Sequence, residues 1–398
     1  MSLAALEPEE RELLAVVRRV AAERIAPRAA EDERQARFPR EVFDELGALG
    51  VLGLPFGTEV GGGAARVGLT LQVVEALAQA SLAVGMGVSV HHLATWAIVT
   101  FATDEQRAAL AGDLVAGRRL GAYALSEPGA GSDAAALSTR AVRDGDVYRL
   151  TGTKAWVTHA GVADRYVVMA RTGAAGAQGI SAFVLDADQP GLSVAPPERK
   201  MGLAASPTAQ LHLDDAPVPA DRLLGGVEGR GFAIAMAALD GGRLGIAACA
   251  VGLAQAALEL AVDHAGSRQQ FGQPIARFQG VAFLLADMAT RTEAARQLTL
   301  AAAGLRDRAS AAGAHAPTID GHPDAAAITR VAAMSKLTAT DAAMQTTSDA
   351  VQVLGGVGYT TDLPAERYLR EAKVLQILEG TNQIQRVVIA RSLTHARP

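Results

Sequence analysis

Three blocks of hydrophobic periodicity follow one another along this chain, and their order restricts the fold more than any single motif. From Glu9 to about Gly117 the apolar residues repeat at helix spacing, as in Leu13, Val16, Val17 and Val20. Pro39 opens another helical run, Val51-Leu52-Gly53-Leu54-Pro55 and Gly61-Gly62-Gly63 break it, and the period resumes through Leu69–Ala80 and around Gln106–Leu114. Between Ala122 and Leu224 the period shortens. Asp144-Gly145 marks a hairpin turn, and β-rich runs occur at Ala155–Thr158, Tyr166–Met169, Ala182–Leu185 and Leu211–Leu213, with Asp214–Pro219 ending the block. From Phe232 the helical period returns in long stretches, about Phe232–Arg268, Phe278–Leu305, Ala325–Leu354 and Gln383–Leu393. Ala309–Pro323, rich in Ala, Gly, Pro and His, reads as a mobile connection. The expectation is a mainly α protein with a middle β domain. It comprises an N-terminal helical domain over 1–120, a small antiparallel sandwich or barrel over 121–226 and a C-terminal four-helix bundle over 227–398.

Composition removes several classes of function. The net charge of −5 over 398 residues, with both signs interspersed, argues against a nucleic-acid partner or a charged membrane surface. Cys249 is the only cysteine, which rules out disulfide frameworks and multi-cysteine metal sites and fits a reducing compartment. No uninterrupted apolar run reaches the length of a membrane span. Met1–Glu10 is acidic and has no basic leader, so the expected location is the cytoplasm. His91-His92 suggests no metal site, because adjacent residues of a helix diverge and no carboxylate or cysteine cluster accompanies them.

Five motifs carry candidate chemistry, each with a plainer alternative. Gly129-Ala130-Gly131-Ser132-Asp133-Ala134 lacks the third glycine of a dinucleotide fingerprint, and no phosphate loop occurs, so any nucleotide binds by another architecture. Tyr123–Asp133 offers small residues and hydroxyls for close approach to a ligand, or it is a tight interdomain turn. Gly152–Thr158 can set the Trp156 indole against a flat heterocycle with the Thr158 hydroxyl beside it, or Trp156 is core. Arg268–Gly272 ends a long helix, where an arginine fork suits a pyrophosphate or merely complements the helix dipole. Gln352–Tyr359 can be a glycine-terminated helix and nothing more. Glu379, in Leu378-Glu379-Gly380-Thr381-Asn382-Gln383-Ile384-Gln385-Arg386, is either a helix cap or a carboxylate in apolar surroundings with the raised pKa of a base.

In this order and register, Ser126–Asp133, Gly152–Thr158, Met201-Gly202, Arg268–Gly272, Gln352–Gly358 and Glu379–Arg386 resemble the acyl-CoA dehydrogenase family, from about Glu9 to Leu393. The resemblance implies an FAD enzyme that desaturates an acyl-CoA thioester between its α and β carbons and passes electrons to an electron-transfer flavoprotein. It implies that Tyr123, Leu125, Ser126, Gly131 and Ser132 line the flavin, with Trp156 against the ring and Ser126 and Thr158 at its edge. Arg268, Gln270, Phe271, Gln279, Gln352, Gly355 and Gly356 would hold the ADP half of an FAD shared with a neighbouring subunit in a dimer of dimers, a homotetramer. Thr381 and Gln383 would complete that grip. Glu379 would be the base, its backbone N–H and a ribityl hydroxyl would bond the thioester oxygen, and Ser132, Asp240, Arg243 and Gly380 would meet the substrate.

One position separates subgroups. In isovaleryl- and long-chain-type members the base precedes the arginine aligned with Arg243; here that residue is Gly242, which leaves Glu379. The chain departs from the family at Ala204, where arginine is usual, at Leu378, where tyrosine is common, and at His159, which reads as structural. An oxidase or monooxygenase using O₂ on the same scaffold is the competing reading, and a flavin-binding scaffold without catalysis is a third.

Overall fold

The computed structural model describes residues 6–313 and 321–394. Six helices lead: α1 (Pro8–Val20), continued through a π turn at Ala21–Ile25 into α2 (Ala26–Arg34), then α3 (Arg40–Ala48), α4 (Val67–Ala80), α5 (Leu82–Phe101) and α6 (Asp104–Val115). Thr103 and Gln106 cap α6 reciprocally, the Gln106 N–H donating to Thr103 Oγ1 (3.2 Å) and the Thr103 N–H to Gln106 Oε1 (3.0 Å).

The middle of the chain forms β1 (Gly121–Ala124), β2 (Arg140–Asp144), β3 (Val147–Thr158), β4 (Arg165–Arg171), β5 (Ile180–Asp186), β6 (Leu192–Val194) and β7 (Thr208–Pro219). The order is β1-β4-β2-β3-β7-β6, with β5 on the far edge of β4. Pairing is mostly antiparallel, but β1 and β2 each run parallel to β4. The β2–β3 hairpin falls one residue later than Asp144-Gly145: Asp144 pairs with Val147, and Gly145, at φ 62°, is the first of two turn residues. Asp214–Pro219 does not end the β block; it continues β7. Pro217 and Pro219 are tolerated there because β6 covers only Leu211–Leu213, leaving the last residues of β7 with a free edge.

The C-terminal part holds α7 (Gly231–Ser267), the hairpin β8 (Gln269–Gln270) and β9 (Gln273–Pro274), α8 (Gln279–Ala311), α9 (Ala325–Leu354), α10 (Ala365–Leu375) and α11 (Asn382–Thr394). Of the expected connection Ala309–Pro323, Ala309–Ala311 finish α8, and 314–320 lie outside the described residues. Helices α5 and α7 are long and apolar enough to cross a membrane by composition, but 83% and 72% of their most apolar windows are buried within the protein, so here they are core helices.

One apolar core runs from Leu14, Leu46 and Leu77 through Leu244–Ala254 of α7 to Ala332–Ala343 of α9. The first and last helical blocks are therefore packed as one mass. A second core fills the β part around Tyr148, Tyr166 and Phe183. A third joins α5, α6, β4, β5 and the start of α7, so the three blocks meet around β1 and the N-terminal half of α7.

Next to Ala204 one carboxylate oxygen is left unpaired. Glu33 accepts the Ala205 N–H at Oε2 (3.0 Å), while its Oε1 is buried without a hydrogen bond and Arg370 approaches only to 3.7 Å. Nearby, burial pushes the Glu371 carboxyl up to about 8 although Arg367 opposes the shift. A carboxyl raised from the usual 4.5 binds its proton in the folded but not the unfolded chain over that interval, so folding stability from this group falls as pH rises from 4.5 to 8. Thermal melts across that range should show Glu371→Gln gaining on wild type steadily as pH increases from 4.5 to 8. A pH-independent difference would mean that Glu371 is ionised in the folded protein.

Candidate active site

Glu379 sits in the short link between α10 and α11, with left-handed backbone (φ 53°) followed by Gly380 at φ 85°. Left-handed geometry at a glutamate is uncommon and persists only where surroundings impose it. Two side chains impose it here. Lys336, fully buried in α9, donates to the Gly380 carbonyl (3.0 Å) and Asn382 Oδ1 (2.9 Å). Gln385, buried in α11, donates from Nε2 to the Glu379 (3.1 Å) and Gly380 (2.9 Å) carbonyls. Neither Lys336 nor Gln385 stands out in the sequence as a site residue; each is one polar side chain on an apolar helix face.

The carboxylate is enclosed. Its Oε2 is buried with no hydrogen-bond partner, and desolvation lifts the group to about 7 against the pull of Arg243 and Lys336. Gly242 of α7 makes room for it, since a Cβ there would fall 2.7 Å from Oε2. The backbone N–H of Glu379 donates to no protein group among the described residues. A base near neutrality therefore stands beside a free amide donor.

The sequence candidates form two groups. The first surrounds Glu379. Arg243 is buried and donates to Asp240 (2.6 Å), and Asp240 also accepts the Thr329 hydroxyl (2.7 Å). Both Asp240 oxygens are thus occupied, and Asp240 reaches the site by orienting Arg243. Tyr123 of β1 has a buried hydroxyl without a partner, and burial and the Glu379 charge push its ionisation upward. Thr381 accepts the Ile384 N–H (3.3 Å) at the start of α11, and Gln383 is exposed. Leu378 packs against the large helical core.

Beside this group, Ser126–Asp133 and Gly152–Thr158 are tied together. Ala155 N–H donates to the Ser126 carbonyl (2.9 Å). Lys154, fully buried, donates to the Leu125 carbonyl (3.1 Å) and Glu127 Oε1 (2.8 Å), and Glu127 also accepts from Ser138 and Thr139. Burial works against the Glu127 charge, yet Lys154 and these hydrogen bonds hold it down to about 2. Glu127 and Ala130 also bond reciprocally, so the tight-turn alternative is true of this loop as well. Trp156 is not core. It is 63% exposed, with left-handed backbone (φ 61°) where the β3–β7 register shifts. The Ser126, Ser132 and Thr158 hydroxyls bond to no protein group among the described residues. An exposed indole beside free hydroxyls and the open backbone of Gly131 fits a flat heterocycle with polar edges.

The second group lies elsewhere. Arg268, Gln270, Phe271 and Gln279 sit at the exposed C-terminal end of α7 and the start of α8. Phe271 (92% exposed) and Gly272, both at positive φ, form the tip of the β8–β9 hairpin. Gln352, Gly355 and Gly356, all exposed at the end of α9, share this end of the bundle through a core of Ala261, Ala265 and Leu354. Arg243 and Arg268 are 25 residues apart on or at the end of α7, about 37 Å along the axis. The structure does not bring the two groups together within one chain.

The remaining motif residues are structural. His91 and His92 use ring nitrogens on the carbonyls of Leu114 and Val51 (both 3.1 Å), and burial pushes both toward the neutral form, His92 to about 4. His159 bonds the Gly121 carbonyl and stands edge-on to Phe38 and Phe43.

Lys336→Met should move the acidic limb of the Glu379 ionisation profile, followed by the infrared absorption of its carboxyl, to higher pH, because a cation that favours ionised Glu379 has gone. Lys336→Arg should restore the limb. An unmoved profile would reduce Lys336 to packing.

Family models match all three blocks: "Acyl-CoA dehydrogenase, N-terminal domain" over 7–118, "middle domain" over 122–216 and "C-terminal domain" over 229–394. An acyl-CoA dehydrogenase of Bacillus subtilis is 44% identical over 95% of this chain and 96% of its own. The butyryl-CoA dehydrogenase of Megasphaera elsdenii superposes with a TM-score of 0.91 at 38% identity, covering 98% of this chain and 99% of that one. A chain in a structure titled for the electron transferring flavoprotein of Acidaminococcus fermentans gives 0.92 at 40% identity, with 98% and 99% covered.

Proposed function

The chain belongs to the acyl-CoA dehydrogenase family of oxidoreductases, and from that premise we propose that it desaturates an acyl-CoA thioester at the α and β carbons with Glu379 as base. The observation that carries this reading is the enclosed, unbonded Oε2 of Glu379, raised to about 7. A carboxylate with no hydrogen-bond donor to lose is ready to take a proton, and its pKa is high enough to hold one.

FAD fits the residues present. Tyr123, Leu125, Ser126, Gly131, Ser132, Trp156 and Thr158 would hold the flavin, and when bound it accepts the hydride leaving the β carbon. The chain's own residues do the rest. The free N–H of Glu379 binds the thioester oxygen where negative charge gathers as the α-proton leaves. Lys336 and Gln385 fix that N–H and the carboxylate on one turn. Arg243, oriented by Asp240, biases Glu379 toward its ionised form, and Ser132 and Gly380 flank the substrate path.

The separation of the two groups supports sharing of FAD between subunits. Arg268, Gln270, Phe271, Gln279, Gln352, Gly355 and Gly356, with Thr381 and Gln383, would serve a neighbour's cofactor, which calls for the dimer-of-dimers assembly. The electron-transfer flavoprotein is proposed as acceptor, and the single buried cysteine accords with the cytoplasm. Anaerobic mixing with a panel of saturated, branched and aromatic acyl-CoA thioesters should bleach the flavin. Reduced enzyme should then reoxidise slowly in air and fast with the flavoprotein acceptor. Fast reoxidation in air would favour the oxidase reading instead.

A further inference from the structure

A cavity of about 760 Å³ opens beside the base, between α4, α5, α7, α8 and the loop around Phe56. Gly242, against which the Glu379 carboxylate rests, is in its wall, as are Leu93 and Trp96. Leu93, Leu71 and Val74 make part of this wall apolar, as a pocket for an acyl chain requires. The rest of the wall is not apolar. Arg306 of α8 faces the cavity next to Gly241, with Nη1 3.3 Å from where a Cβ would stand, and its guanidinium lies 5.8 Å from the Trp96 ring centre.

This guanidinium forms no hydrogen bond or ion pair with any protein group among the described residues. The two nearest carboxylates are spent elsewhere. Asp240 accepts from Arg243 and Thr329, and Asp307 accepts the Val67 (2.6 Å) and Gly68 (3.2 Å) N–H groups. Burial lowers the Arg306 pKa even though both carboxylates act on it at a distance. The other guanidiniums in the wall are engaged, Arg66 with Glu10 and Arg107 with Asp104 and the Val99 and Ala102 carbonyls. This half-buried guanidinium faces the cavity with all its donors free for a group that accepts from them in the plane of the fork.

Gly241 and Gly242 are consecutive, so base and guanidinium stand within roughly 13 Å of each other. Gly242 and Leu93, beside the Glu379 carboxylate, line the same cavity as Arg306, and a chain can lie along that wall from one to the other. We infer that Arg306 receives the far end of the acyl chain, and that the preferred substrates are acyl-CoA thioesters of short to medium length ending in a carboxylate. The planar fork accepts such a group bidentately, and Trp96 holds the fork from one side. This rests on the assignment of the site to thioester dehydrogenation. The chemistry is unchanged: the terminal carboxylate is bound and kept, one proton leaves the α carbon to Glu379 and one hydride leaves the β carbon to the flavin.

The test compares thioesters of matched length ending in methyl or carboxylate. Each is measured by flavin bleaching for kcat/KM and, independently, by calorimetric titration of holoenzyme with non-reactive 2-enoyl-CoA counterparts. Wild type should favour the carboxylate by about ten- to a hundredfold in both readouts, the worth of a hydrogen-bonded charge pair. Arg306→Gln should lose or reverse that preference, and Arg306→Lys should keep part of it. Equal or weaker binding of the carboxylate series by wild type overturns the inference, whether or not the variants fold. So does a preference that survives in a folded Arg306→Gln. If neither series bleaches the flavin, the dehydrogenase reading fails, while the titration still decides the carboxylate preference.

Discussion

Glu379→Gln is expected to retain flavin and to lose acyl-CoA-dependent bleaching by roughly three orders of magnitude, the scale of a general base. The amide matches the carboxylate in shape, so the pocket against Gly242 still accommodates it, but it cannot take a proton. One consequence follows from the enclosure of Oε2. Because no protein donor reaches this atom, the substitution breaks no hydrogen bond, and the loss of rate can be attributed to the proton-transfer step. The pH dependence provides a second check. Ionised Glu379 is the active form and desolvation holds its pKa near 7, so the wild-type rate should climb as pH passes through that value and level off above it. Any residual rate in the variant should not follow that curve. Stopped-flow bleaching between pH 5.5 and 8.5 measures both. A variant that bleaches at the normal rate would remove Glu379 from the mechanism and return it to the role of a cap.

The sequence revealed those parts of the site that depend on a chemical type at a fixed local spacing. Glu379 beside a glycine, Trp156 two residues before Thr158, and the hydroxyl-rich run from Ser126 are such cases. Lys336, Gln385, Glu127 and Lys154 were not legible as site residues, because their function is to meet partners 27 to 46 residues away or to fold back on a neighbouring link. Local pattern gives no sign of such meetings. The fold shows the same division. Ala325–Leu354 is recognisable as a helix from its period alone, whereas Asp214–Pro219 looks like a terminator because its prolines and acids suit a turn. Only the short reach of β6 lets them complete a strand. Phe271 is another example: its left-handed backbone at a two-residue hairpin is imposed by closure after α7, where the sequence suggests only a helix end. Gly242 illustrates the reverse. Its lack of a side chain was legible as the absence of an alternative base, and its contact shows that the same absence gives Glu379 its place.

The largest expected effect on folding is at Lys154. Lys154→Met removes the cation from a carboxylate that is itself only 4% exposed, and breaking one side of a buried pair costs about 3–5 kcal/mol because the other charge stays buried. Ser138 and Thr139 still donate to Glu127, which places the expected loss toward the lower end of that range. The sign of the pH effect follows from the depressed carboxyl. Held at about 2 when folded against 4.5 otherwise, Glu127 contributes stability that is present above 4.5 and lost as pH falls through 2. Without Lys154 the folded value rises, so the variant should begin to lose this contribution at a higher pH than wild type. Since Lys154 also holds the Leu125 carbonyl, the loop carrying Ser126, Gly131 and Ser132 should loosen against the strand carrying Trp156 and Thr158, and flavin should be lost on gel filtration. Adding Glu127→Gln removes the stranded charge and should recover part of the stability without restoring flavin retention. Urea melts and the flavin-to-protein absorbance ratio separate the two effects. If Lys154→Met matches wild type in both measurements, the pair does not join the two motifs, and their proximity depends on the Ala155–Ser126 backbone hydrogen bond alone.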